Sequence, residues 1–297
     1  MIQGQIATVL TIAGSDSSAG AGIQADLKSI HALDGYALTV ITAITAQNSQ
    51  GVQSVFAVPA EQVKQQLNCL LEDYQIDAIK IGMLGNQGIV DVVTEWLKNT
   101  PQTPVVLDPI ILSSSGKTLL ENTAIENLVK NLFPLCALVT PNLPELNFLL
   151  KNSGSHEIKG KLNEMPKLTK QLQQKNWPNI LLKGGHTPEE QAIDYLISTS
   201  IKQKENEQNQ ANVQSFVSPR ITVQHNHGTG CTLSSAIATE LAKGCPLEVA
   251  VGKAKTYLFT ALQQADSYQP HYKELDAEQN TKRHGGLHHF ANKIQNR

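Results

Sequence analysis

The sequence predicts a mostly parallel α/β sheet with helices on both faces and an antiparallel edge. Three observations carry this prediction. Short Val/Ile/Leu runs recur, each followed by a longer amphipathic stretch; the order changes after Lys183; and six of the runs end in polar or glycine residues. Alternating strand and helix patterns build βαβ units, whose sheet is covered on both faces.

The strands are expected at 7–13, 38–46, 78–81, 105–107, 137–139 and 180–183, where aliphatic runs are too short for helices. Helical periodicity fills the intervals at 22–33, 60–74, 89–97, 124–132, 145–150 and 168–175. Beyond Lys183, segments 192–198 and 216–223 read as an antiparallel pair at the sheet edge, and helices at 231–243 and 246–265 close the fold. The stretch 201–214, rich in Gln, Asn, Lys and Glu, reads as a long polar loop. With no internal repeat or domain boundary, residues 1–268 are expected to form one domain and 269–297 a polar C-terminal tail. That tail carries a His288-His289 pair with no third ligand in sequence, so a metal site is not read there.

A chain of 297 residues with 40% hydrophobic and 17% charged residues is ordinary for a globular protein with a substantial core. A net charge of −2 offers no basic field for nucleic acid or an anionic membrane. The four cysteines are scattered, which suggests neither a zinc site nor a disulfide framework and fits a reducing cytoplasm. The first basic residue is Lys28, so no secretory n-region is expected, and no apolar run is long enough to span a bilayer.

The most informative segment is His227-Gly228-Thr229-Gly230-Cys231-Thr232-Leu233, which runs directly into an apolar small-residue helix. Such a loop aims the free N–H groups of a helix start, and the positive end of its dipole, at one point; phosphate is the usual guest. Cys231 falls just inside the helix start, where a thiol is expected to ionise more readily than in water. The plain alternative is a glycine-punctuated helix start with a buried cysteine.

In open parallel sheets ligands bind beyond the carboxyl ends of the strands. Gly14-Ser15-Asp16-Ser17-Ser18-Ala19-Gly20-Ala21-Gly22, Gln47-Asn48, Gly82-Met83, Asp108-Pro109, Thr140-Pro141-Asn142 and Lys183-Gly184-Gly185-His186 all stand there. Ser115-Gly116-Lys117-Thr118 imitates the end of a P-loop, but Ile111 occupies the position of its first glycine, and the first loop lacks dinucleotide-binding spacing. In Thr140-Pro141-Asn142-Leu143-Pro144-Glu145, an amide and a carboxylate share one face of a helix start. They read either as a capping box or as oxygen groups holding a hydrated Mg2+.

Taken together, Thr11-Ile12-Ala13-Gly14-Ser15-Asp16, Ala21 to Lys28, Ala46-Gln47-Asn48, Lys80 to Leu84, Thr140 to Glu145, Lys183 to His186 and His227 to Cys231 resemble the hydroxymethylpyrimidine kinase/phosphomethylpyrimidine kinase family of thiamine biosynthesis. The resemblance runs in order from Thr11 to about Ala265, and Gly286 to Phe290 also matches the family's C-terminal signature. It implies a ribokinase-like three-layer fold and an ATP- and Mg2+-dependent kinase. This kinase would phosphorylate the pyrimidine alcohol and then its monophosphate, act in the cytoplasm and form a homodimer.

By the same resemblance, Ala21, Asp26, Gln47, Met83 and Ile110 line the pyrimidine pocket. Lys183 and Gly230 bind nucleotide, and Gly228, Thr229 and Gly230 form the anion hole. Asn142 and Glu145 hold Mg2+, and Cys231 takes the alcohol proton. The chemistry agrees, because a side-chain amide such as Gln47 pairs with the donor and acceptor of an aminopyrimidine edge.

This chain departs from the family in three places, one of which is the polar stretch 201–214, longer and more polar than the family implies. Ser17-Ser18-Ala19-Gly20 replaces the usual Pro then Ser-Gly-Gly, which would strain Ala19 if that position needs φ > 0. Asp108-Pro109-Ile110-Ile111 replaces Asp-Pro-Val-Met. The rival readings are a pyridoxal kinase of the same superfamily, a non-catalytic pyrimidine-binding domain and, more distantly, a cysteine hydrolase.

Overall fold

The computed structural model describes residues 5–111, 120–184, 191–199, 213–274 and 283–294. Its strands are β1 (Thr8–Asp16), β2 (Tyr36–Asn48), β3 (Gly51–Ala57), β4 (Ala78–Ile81), β5 (Val105–Leu107), β6 (Leu138–Val139), β7 (Asn179–Leu182), β8 (Gln191–Ile197) and β9 (Val213–Pro219). They form one sheet in the order β3-β2-β1-β4-β5-β6-β7-β8-β9. Parallel ladders join β2 through β7, while β3, β8 and β9 run antiparallel to their neighbours.

The helices are α1 (Gly22–Ala32), α2 (Ala60–Asp73), α3 (Gln87–Leu97), α4 (Asn122–Asn127), α5 (Leu143–Asn152), α6 (Met165–Gln174), α7 (Thr229–Ala242), α8 (Leu247–Gln263) and the short α9 (Ala291–Ile294). Alternate residues of β1 feed opposite faces of the sheet. Leu10 and Ile12 join the cluster covered by α2 to α6, and Val9, with Ala7 just before the strand, joins that covered by α1, α7 and α8. That two-sided burial is why β1 reads as a continuous apolar run.

The expected α/β layers and antiparallel edge are present, with four differences. β3 has no counterpart in the sequence reading. All seven of its residues are exposed, so it shows no buried face from which to read a strand. The expected helix 124–132 ends as α at Asn127 and continues as a π turn (Leu128–Leu132) and a 3-10 turn (Phe133–Leu135). Of the polar loop expected at 201–214, Val213 and Gln214 open β9, and 201–212 lie outside the described residues, as do Ser115 to Thr118, Gly185 and His186.

The last difference is the C-terminal tail, which returns to the body of the protein. His284 N–H donates to Ser49 O at 2.8 Å, His227 N–H to Gly285 O at 3.1 Å, and Tyr257 OH to His289 O at 2.8 Å. His288 stacks on Tyr268 with ring centroids 3.8 Å apart, and His289 Nε2 lies 3.1 Å from Thr232 Oγ1. Arg283, Leu287, His288 and His289 are buried in this packing, which a run dominated by glycine and histidine does not announce. Among the described residues no helix is long and apolar enough to cross a membrane.

Candidate active site

The site is assembled at the carboxyl ends of β1, β2 and β4 to β7 and at the start of α7. Asp16, the last residue of β1, organises the first loop. Its carboxylate accepts from Ser18 N at 2.8 Å, Ser18 Oγ at 2.7 Å, Gly20 N at 3.1 Å and Ala21 N at 2.8 Å. His227 Nε2 lies 2.9 Å from the same carboxylate. Burial pushes the Asp16 carboxyl up, but these bonds, led by the one to His227, outweigh it and hold the group well below the usual carboxylate range.

The tight wrap forces Ala19 to φ 62°, the strained conformation anticipated for that position. Ser17, standing where the family usually carries proline, donates through Oγ to Gln47 O at 2.7 Å and accepts from Gln47 N at 2.9 Å. The first loop thereby holds the backbone of the predicted pyrimidine reader.

At the start of α7, Gly228 occupies the N-cap position at φ 86°, and no side chain caps the helix. A Cβ there would stand 1.9 Å from Gly20 O, so only glycine lets the two loops touch. A Cβ on Gly230 would stand 2.9 Å from Asp108 Oδ2 and 3.3 Å from Lys183 Nζ. The helix start therefore faces an ion pair: Lys183 Nζ lies 2.8 Å from Asp108 Oδ1. Burial opposes the Lys183 charge, but Asp108 and Glu145 outweigh it and raise its pKa, keeping a cation beside the start of α7.

Asn142 and Glu145 form the capping box. Glu145 N–H donates to Asn142 Oδ1 at 2.8 Å, and Asn142 N–H donates to Glu145 Oε2 at 2.9 Å. Burial, with Asp108 adding to it, pushes the Glu145 carboxyl up against the pull of Lys183. Among the described residues, no three His, Cys, Asp or Glu side chains could by themselves hold a metal ion. The donor set fits a hydrated cation anchored largely by phosphate and water, rather than an all-protein cage.

Met83 and Ile110 stand just beyond the carboxyl ends of β4 and β5. The Met83 Cε lies 2.6 Å from where a Gly14 Cβ would stand, and Ile110 adopts φ 38°, an outlier for a β-branched residue.

Two site expectations change. Asp26 is fully buried, with Oδ1 taken by Lys80 at 2.8 Å and Ser235 at 2.7 Å, and Oδ2 by Lys80 at 2.7 Å and Thr11 at 2.6 Å. All four contacts are with the protein's own donors, and a ligand amino group would have to displace one of them. Nor is the Cys231 thiol easily ionised. Burial pushes it up to about 11, because loss of water outweighs the pull of Lys80 and of the Gly22 N–H.

In the sequence Asp108, Asp16 and His227 are visible only as strand-end or loop residues, because the Asp108–Lys183 and Asp16–His227 contacts span 75 and 211 positions and leave no local signal.

The sequence profile described as phosphomethylpyrimidine kinase matches residues 16–276. The chain is 41% identical over 258 residues to the hydroxymethylpyrimidine/phosphomethylpyrimidine kinase of Escherichia coli, covering 87% of this chain and 91% of that one. It is 40% identical over 258 residues to the longer thiamine biosynthesis bifunctional protein of Geobacter sulfurreducens, of which it spans 49%. Among solved structures, the phosphomethylpyrimidine kinase of Clostridium difficile matches with a TM-score of 0.70 at 37% identity, over 86% of this chain and 98% of that one. An ADP complex of Bacillus subtilis pyridoxal kinase matches with a TM-score of 0.78 at 29% identity, over 98% of this chain and 100% of that one. With its ribokinase-like sheet and a profile match over most of its length, this chain belongs to the phosphomethylpyrimidine kinase family of phosphotransferases.

Proposed function

We propose that this chain uses ATP and Mg2+ to phosphorylate the alcohol of 4-amino-5-hydroxymethyl-2-methylpyrimidine, and then its monophosphate to the diphosphate. The observation that carries this reading is the Asp108–Lys183 pair set against Gly230 at the uncapped start of α7. Phosphoryl transfer depends mainly on positioning and on neutralising charge, and this arrangement supplies both. Lys183 balances charge on the ATP phosphates. The N–H groups of Gly228, Thr229, Gly230 and Cys231 receive the charge that develops on the transferred group. Asn142 and Glu145 hold Mg2+ through water, and the ion supplies further charge neutralisation when bound.

Gln47, with Ala21, Met83 and Ile110 around it, recognises the ring. Cys231 is the proton acceptor for the alcohol. Because its thiol is pushed up to about 11, little thiolate exists at neutral pH, and the first step should quicken as pH rises.

A cytoplasmic setting agrees with Cys69, Cys136, Cys231 and Cys245 all being free. A homodimer agrees with the exposed Val52, Val55 and Phe56 on β3, an edge strand that a second copy would cover. Sedimentation of the whole chain tests the dimer.

The test of function is mass spectrometry of products from ATP with the pyrimidine alcohol, run in competition with pyridoxal. Both pyrimidine phosphates are expected. Pyridoxal phosphate alone would assign the chain to the rival activity, and no turnover of ATP would leave only a binding role.

A further inference from the structure

The Gln47 amide lies between two polar groups. Its Nε2 stands 2.9 Å from His227 Nε2, and its Oε1 stands 3.3 Å from Thr45 Oγ1. His227 Nε2 is also 2.9 Å from Asp16 Oδ2, so one ring nitrogen faces an amide and a carboxylate together. The Thr45 hydroxyl likewise has a second neighbour, the Ser15 carbonyl, to which it donates at 3.0 Å.

Counting protons resolves both contacts. A carboxylate only accepts, and the hydrogen bonds converging on Asp16 keep it ionised, so the proton of the 2.9 Å contact belongs to His227 Nε2. A ring nitrogen that carries a proton has no lone pair to offer. The Gln47 atom facing it must therefore be the carbonyl oxygen, which shares that one hydrogen with Asp16 in a three-centre bond. On the other side, Thr45 has a single hydroxyl proton, already directed to Ser15 O. Thr45 can then accept from an amide N–H but cannot donate to an amide oxygen. Both neighbours require the same half-turn of the amide, which exchanges its oxygen and nitrogen with almost no change of shape.

We infer that Asp16 and His227 fix the Gln47 amide with its oxygen toward His227 and its nitrogen toward Thr45, which makes His227 the positioning residue for pyrimidine recognition. The inference rests on the proposed role of Gln47. So held, the amide keeps one lone pair on oxygen and one N–H for a ligand. A 4-aminopyrimidine edge matches these with its amino group on the His227 side and its ring nitrogen on the Thr45 side. A 4-oxo ring presents an acceptor beside an N–H and is mismatched unless the amide turns over.

Two measurements test this. In a ¹⁵N spectrum of the ligand-free protein, His227 Nε2 is expected to carry a hydrogen; a neutral ring with its only hydrogen on Nδ1 overturns the inference. Kinetics with the 4-amino substrate and its 4-oxo analogue give the second test. The wild type should favour the amino ring by about 10–100-fold in kcat/KM, the range of one lost polar contact in a dry site. His227→Phe keeps a ring without a donor and should raise KM for the amino ring about tenfold, with a smaller change in kcat and most of the preference gone.

His227→Gln places an N–H near the Nε2 position and should restore much of the preference. An intact preference in His227→Phe, or identical behaviour of the two variants, overturns the inference while leaving Gln47 in place. A Gln47→Ala enzyme with unchanged KM for the pyrimidine would instead remove the Gln47 role on which the inference stands.

Discussion

Asp26–Lys80 and Asp108–Lys183 are the same residue types at nearly the same separation, 2.7 and 2.8 Å, and both flank the start of α7. Their surroundings differ. The first pair has no exposed side-chain surface, and Thr11 and Ser235 occupy the carboxylate oxygens that Lys80 shares. In the second pair Lys183 keeps 17% exposure, and Asp108 turns Oδ2 toward Gly230. A pair whose hydrogen-bonding capacity is filled holds the fold together. A pair with capacity turned toward a helix start can meet a ligand. Cys231 lies between them and feels both, drawn toward ionisation by Lys80 and away from it by Asp26 and Asp108.

The largest expected effect breaks the first pair. Lys80→Met leaves the buried Asp26 charge uncompensated and should cost about 3–5 kcal/mol in denaturant unfolding. Adding Asp26→Leu should recover much of that loss, because a well-packed apolar replacement is often neutral. A mild effect of Lys80→Met alone would show that water or another cation reaches Asp26.

Next comes the second pair. Lys183→Met should lower turnover about 10²–10³-fold, as loss of a preorganised charge-stabilising group does, with a much smaller change in stability than Lys80→Met. Equal destabilisation by the two methionine variants would erase the distinction between the pairs.

Cys231 sharpens the comparison further. With the thiol pushed up to about 11, raising pH from 7 toward 10 increases the thiolate fraction, so the rate of alcohol phosphorylation should rise across that range. Cys231→Ala should abolish the rise and lower the alcohol step about 10–10²-fold more than the monophosphate step, whose nucleophile is already largely ionised. Rate profiles of the two steps check this; matching losses would make the thiol a support for loop geometry.

The smallest effects compare the hydroxyls around each carboxylate. Ser235→Ala removes a 2.7 Å donor from fully buried Asp26 and should cost about 1–3 kcal/mol of stability. Thr140→Val removes a 3.3 Å contact from Asp108 and should cost about 1 kcal/mol or less, because that bond is long and its carboxylate retains Lys183. Thermal unfolding of both variants ranks them.

Much of this arrangement is legible in the residues. The apolar runs mark the parallel strands, and the glycine motif marks the uncapped start of α7, because local periodicity and helix-end geometry are short-range effects. Asn142 and Glu145, three positions apart, form the capping box that their spacing allows. β3 escapes such reading because a fully exposed edge strand carries no burial pattern. The returning segment 283–294 escapes it because its contacts lie up to 260 positions away.

The alternation of parallel strands and helices, the strand-end placement of the polar residues and the family were determined by the sequence alone, since each rests on patterns spanning a few residues. Whether a given polar group serves the fold or faces a ligand was decided only by the tertiary structure. Asp26 and Asp108 are indistinguishable as letters, yet one is enclosed by Lys80, Thr11 and Ser235 and the other meets the start of α7. The Cys231 thiol follows the same rule. A helix start favours its ionisation, but burial among packed neighbours costs more, and burial exists only once the chain has folded.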